Sequence, residues 1–123
     1  MRGWIALCAL AGSFAAQAGV VDQAAAVAAL KEGKLAMDVR SQSDYEAGTV
    51  LNAVRVDEGR LVKQMKQVLN DRNTVFVIFS SDNNKANRAQ DKLTAAGYFS
   101  VINGGNYEEL HNALYDTSDD PAE

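Results

Sequence analysis

Thr74-Val75-Phe76-Val77-Ile78-Phe79 is an unbroken run of β-branched and aromatic residues, with no polar position after Thr74 to turn toward water. A strand with one wet face would alternate, so this run predicts a strand covered on both faces, at the centre of a parallel sheet. Covering both faces takes helices on each side, and the flanking sequence supplies them. Leu61, Met65, Val68 and Leu69 recur at helical spacing before the run; Ala86, Ala89, Leu93 and Ala96 do so after it, closed by Gly97. The rest follows the same alternation. Asp22 caps a helix over 22–30 that stops at Gly33, and 35–39 reads as a strand. Ser41 caps a short helix that Gly48 ends, and 50–56 is extended. Strand 99–102 leads through a Gly104-Gly105 turn into a last helix over 106–114 packed through Leu110 and Leu114. This order predicts an α/β fold with a mostly parallel sheet between helical layers.

The chain has 123 residues, 47% of them apolar and 23% charged, enough for one ordinary domain with a real core. A single cysteine excludes an intrachain disulfide, a Cys-x-x-Cys pair and a cysteine zinc clip. No metal-ligand spacing, phosphate loop or dinucleotide fingerprint occurs, so neither metal nor cofactor is expected. A net charge of −4 argues against nucleic acid or an anionic lipid surface as partner.

Arg2, the apolar stretch from Trp4 to Ala11 and the small residues ending in Ala16-Gln17-Ala18 fit a positive n-region, an h-region and a cleavage pattern. The stretch is too short for a membrane span, which takes ~20 apolar residues. An Ala-rich first core helix is the alternative, and the lack of an amphipathic period speaks against it. Residues 1–18 are therefore expected to be a signal peptide, 19–115 the domain and 116–123 an acidic flexible tail. The exported product, expected in the periplasm as a monomer, would hold no cysteine.

In parallel sheets ligands gather beyond the carboxyl ends of the strands, which here singles out the loop Ser80-Ser81-Asp82-Asn83-Asn84-Lys85. A short loop entering a helix N-terminus aims backbone N–H groups and the positive end of the helix dipole at one point, which suits an anion or an anionic nucleophile. These residue types also serve simply as helix caps, the plainer reading.

The residues now on the page resemble the rhodanese homology domain, and in particular its small single-domain members. Met37-Asp38-Val39-Arg40, Asp44-Tyr45-Glu46-Ala47-Gly48, Val50 and Ala53 follow that family's opening motif. Val75-Phe76-Val77-Ile78-Phe79 resembles the strand before its active-site loop, and Leu93-Thr94-Ala95-Ala96-Gly97-Tyr98 with Val101 and Gly104-Gly105 its closing signature. The resemblance spans about residues 20–114. It implies a three-layer fold with a mostly parallel, five-stranded central sheet, and transfer of sulfane sulfur through a cysteine persulfide that opens the loop.

Counting back from Gly97, that cysteine position falls on Ser80. Asn83 stands at the family's loop glycine, Lys85 at its arginine, Thr49 at the histidine of the opening motif, Asn52 at its second glycine, and Glu109 about where a tryptophan often lies. A hydroxyl is a weak nucleophile without an adjacent base, and its oxygen carries no persulfide. Lys85 keeps the charge of arginine without its planar fork, and Asp82 repels the anion that the loop amides would attract. Ser80→Cys is accordingly expected to yield a thiol of depressed pKa and only partial activity.

The remaining polar residues read more plainly. His111, the only histidine, is expected to be a solvated helix residue, so a Ser-His triad is poorly supported. Asp38 and Arg40 frame a pocket or, in the more conservative reading, tie the first turn to the body of the domain. Tyr45, Phe99 and Tyr107 are expected in core or rim packing, and Arg55, Arg60, Lys63 and Lys66 on a solvated face. The expected function is a catalytically silent rhodanese-like domain acting as a binding or accessory module, with the 80–85 loop as its recognition surface and a protein or a small anion as its partner. The alternatives are an active thiosulfate sulfurtransferase, a hydrolase with Ser80 activated through Lys85, and a small-anion binder.

Overall fold

Burial of the apolar run sets the architecture. A computed structural model describes residues 19–116, so the expected signal peptide and positions 117–123 of the expected tail lie outside the described residues. Within them β3 (Phe76–Ser80) is buried at every position. β1 (Leu35–Asp38) pairs with it on one side and β4 (Val101–Asn106) on the other, while β2 (Ala53–Arg55) pairs with β1. All pairings are parallel, in the order β2-β1-β3-β4.

Helices cover both faces. α3 (Leu61–Val68) and α4 (Asn83–Ala95) bury Leu61, Met65, Ala86, Ala89 and Leu93 against Met37, Phe76 and Ile78. On the other face α1 (Gln23–Lys31) and α5 (Tyr107–Tyr115) bury Ala26, Ala29, Leu30 and Leu110 against Ala36, Val77 and Phe79. The alternation of β3 side chains between these two clusters explains why Phe76 to Phe79 has no polar position. α2 (Gln42–Ala47) and a 3-10 turn (Glu58–Arg60) complete the described chain. The expected caps are in place: Asp22, Ser41 and Asp82 accept from the backbone N–H of Ala25, Asp44 and Lys85.

Four expectations are corrected. The described sheet has four strands rather than five, because the segment at residues 19–22 meets β4 through one ladder-like hydrogen bond, from Asp22 N to Asn103 O at 2.7 Å. The extended segment 50–56 is a strand only over β2, since Asn52 takes φ 64° and turns the chain just before it. Phe99 is 76% exposed and outside β4, because Tyr98 takes the buried position against Phe76 instead. Gly104-Gly105 is not a turn but part of β4, where a Cβ at Gly104 would lie 3.0 Å from Leu110 Cδ2 and 3.3 Å from Ala26 Cβ. Gly104 thus lets α1 and α5 approach the sheet.

Gly105 combines φ +80° with a missing Cβ that would sit 2.8 Å from Asn83 Oδ1 and 2.9 Å from Val21 Cγ1. Gly105→Ala is therefore expected to lower the unfolding free energy by about 1–3 kcal/mol, read from a urea titration at unchanged m-value.

Candidate functional site

The chain leaves β1 for β2 in one direction and returns across it to β3 and β4, so the strand order reverses between β1 and β3. Ligand clefts of parallel sheets form beyond the carboxyl ends of strands at such a point. Asp38 ends β1 there, wholly buried, and its carboxylate is the hub of the region. It accepts from Arg40 N (3.0 Å), Arg40 Nε (2.9 Å), Arg40 Nη2 (2.8 Å) and Thr49 Oγ1 (2.8 Å). Arg40 Nη2 also donates to Gly48 O at 2.6 Å, and the guanidinium carbon lies 3.7 Å from the centre of the Tyr107 ring. Burial alone would depress the Arg40 guanidinium; the hydrogen bonds to Asp38 and that carboxylate's charge outweigh this and raise it above its ordinary value. These bonds tie the loops before and after α2 to β1.

Ser80 ends β3 beside this hub and is wholly buried. Its hydroxyl donates to Val39 O at 3.2 Å, while Val39 N donates to Phe79 O at 2.9 Å, so the ends of β1 and β3 are stitched together. The hydroxyl proton is engaged by a carbonyl, and no base accepts it among the described residues. Ser81, Asp82, Asn83, Asn84 and Lys85 are exposed. The Asp82 carboxylate accepts from Lys85 N at 2.8 Å, placing negative charge on the helix end that would otherwise draw an anion. Asn83 Oδ1 accepts from Asn106 N at 2.9 Å, fastening the loop to the end of β4. Asp82→Ala is expected to cost about 1 kcal/mol as a lost cap, measured by thermal unfolding.

Beside the loop lies a cleft of about 340 Å³ whose walls carry cations from Arg40, Arg55 and Lys85 and carboxylates from Asp44, Asp57 and Glu58. Ser81 lines it; Ser80 does not. Arg55 is itself held, its Nε donating to Arg40 O at 2.9 Å. Of the residues expected at the site, Asp38, Arg40 and Ser80 therefore converge beneath the cleft, and Ser81 and Lys85 reach it. His111 lies between Tyr107 and Tyr115, at ring separations of 5.3 and 4.6 Å, on the aromatic column that begins with Arg40. Sequence reasoning missed Thr49 as a partner of Asp38, Tyr107 as the platform under Arg40, and the Asn83–Asn106 clasp. The i, i+4, i+8 spacing of Tyr107, His111 and Tyr115 was a usable signal for the column. Nothing local signalled the other two, which join residues 11 and 23 positions apart.

The fold has counterparts in solved structures. The Rhodanese_3-like domain of the Alr3790 protein from Anabaena sp. matches with a TM-score of 0.61 at 20% identity, covering 67% of this chain and 93% of that one. A solution structure of the rhodanese-like domain of the same Anabaena protein matches at 0.66 and 19%, covering 80% and 76%. The human single-domain sulfurtransferase TSTD1 matches at 0.62 and 19%, covering 78% and 97%. At such identities the likeness shows the fold. No curated protein matches the chain. The rhodanese-like domain family model matches residues 22–111, from the cap of α1 into α5. With that much of its length accounted for, the chain belongs to the family of rhodanese-like domains.

Proposed function

We propose that this rhodanese-like domain is a binding or accessory module without sulfurtransferase activity, in which Ser80 occupies the position of the family's catalytic cysteine. The reading rests on one observation: the Ser80 hydroxyl is enclosed and donates to Val39 O, so it is an element of the fold rather than a nucleophile presented to the cleft. Asp82 across the start of α4 adds to this, because a sulfur anion held there would face a carboxylate. The cleft walls, mixed in sign, suit recognition of a polar partner better than capture of one small anion. Residues 1–18, read as a signal peptide, would place the module in the periplasm.

Thiosulfate-to-cyanide transfer by the full chain is expected at background, and equally so in Cys8→Ser, which removes the only thiol. Turnover that survives Cys8→Ser and is abolished by Ser80→Ala would overturn the proposal.

A further inference from the structure

Arg60, Lys63 and Lys66 fall on one stripe of the 3-10 turn and α3, which alone is a solvated face. The fold sets a second stripe beside it. Lys85, Arg88 and Lys92 recur at i, i+3 and i+7 along α4, which packs with α3 on the same face of the sheet. Between the two lies a groove of about 400 Å³ lined by Arg60, Lys63 and Lys92 over Leu61 and Val62. Glu58 lines both this groove and the site cleft, so the two adjoin at that residue, and Lys85 stands on the cleft side. Among the described residues only Arg88 of these cations has a carboxylate partner, Glu58 at 3.4 Å.

The charge is segregated across the sheet. Residues 55–97, which form the α3–α4 side, carry eight Lys and Arg against five Asp and Glu. Segments 22–34 and 107–116, which supply α1 and α5, carry two against five. An acidic chain thus carries an excess of cations on the α3–α4 side, where Arg60, Lys63, Lys66, Lys85 and Lys92 are exposed.

We propose that the α3–α4 groove receives an acidic polypeptide segment of a partner protein, which extends from it into the site cleft. This deepens the reading of the domain as a binding module and rests on it. Size favours a peptide: Lys85 to Lys92 spans roughly 10 Å of helix at 1.5 Å per residue, the reach of about three extended residues. Sign and range favour it too. Asp57, Glu58 and Asp91 interrupt the cations, and the screening length at physiological salt is ~8 Å, so the groove attracts a short acidic segment locally. A nucleic-acid duplex or an anionic bilayer would bring the acidic remainder of the molecule into the same repulsive field.

The test is an amide NMR titration of the full chain at low salt with a short oligoglutamate peptide, beside anionic phosphatidylglycerol vesicles. Saturable shifts at residues 58–66 and 85–92, continuing to the cleft residues Arg40, Ser41 and Ser81, weakened at least about tenfold in Lys63→Glu/Lys92→Glu and less in Lys63→Gln/Lys92→Gln, support the groove. Absence of saturable shifts, equal affinity in the reversed variant, or preference for vesicles overturns it. Binding that appears only after deletion of residues 117–123 overturns it in favour of the chain's own acidic end. The thiosulfate assay, read separately on the same samples, distinguishes failure of the groove from failure of the inactive-module reading.

Discussion

Arg40→Met is expected to destabilise the domain by about 3–5 kcal/mol, close to the whole stability of a marginal domain. The side chains of Asp38 and Arg40 are 0% and 7% exposed, so removing the guanidinium leaves a carboxylate enclosed with only Arg40 N and Thr49 Oγ1 to satisfy it. It also empties the face of Tyr107 and frees Gly48 O. At this chain length the loss corresponds to a fall in Tm of at least about 12 °C. The pair Asp38→Leu/Arg40→Met should lose less than Arg40→Met alone, because it buries no unpaired charge. A loss under about 1 kcal/mol in Arg40→Met, as for a surface ion pair, would contradict the role assigned to Asp38. The pH dependence has a definite sign. A guanidinium raised above its ordinary value contributes its stabilisation in full below that ordinary value and loses it only as pH climbs past the raised one. Arg40 therefore adds no slope to stability in the physiological range.

Ser80→Cys is expected to restore little sulfur transfer. From the sequence, a thiol at the mouth of a helix N-terminus should ionise readily; the structure adds two opposing effects. Position 80 is enclosed, and burial penalises a thiolate. The Asp82 carboxylate already holds the Lys85 N–H that would otherwise face the anion. We expect the single variant to remain at least about a hundredfold below one that also carries Asp82→Gly and Lys85→Arg, the scale of a missing oxyanion donor. Asp82→Gly keeps most of the capping energy, costing a few tenths of a kcal/mol, so a folded comparison is available. Equal rates for the single and triple variants would show that the scaffold alone decides activity and that the loop substitutions are neutral.

The parts of this fold that sequence made legible are those governed by local rules. The β3 run, the helical stripe of Leu61 and Met65, the Ala86-Ala89-Leu93 face and the caps at Asp22, Ser41 and Asp82 each rest on residues within a turn or two of one another. Misreadings arose where distant residues decide. Gly104-Gly105 carries a turn signal by composition, but the pair lies within β4, with Leu110 and Ala26 against the missing Cβ of Gly104 and Asn83 and Val21 against that of Gly105. Phe99 has strand propensity, yet Tyr98 occupies the inward position and leaves it facing water. At the candidate site the resemblance picked out Ser80 and the Asp38–Arg40 pair. That Ser80 faces Val39 O rather than the cleft depends on the pairing of β1 with β3, 41 residues apart, and no local pattern encodes it. The basic groove was half legible: α3 showed its stripe, but the α4 stripe became a partner only when the helices packed on one face.

The central claim is that an oxygen at position 80, turned into the fold, leaves the domain without a carrier for sulfur. The most direct measurement is intact-mass and peptide-mapping mass spectrometry of Cys8→Ser after incubation with thiosulfate. The account predicts an unchanged mass, whereas a gain of one sulfur atom mapped to the peptide containing Ser80 would contradict it.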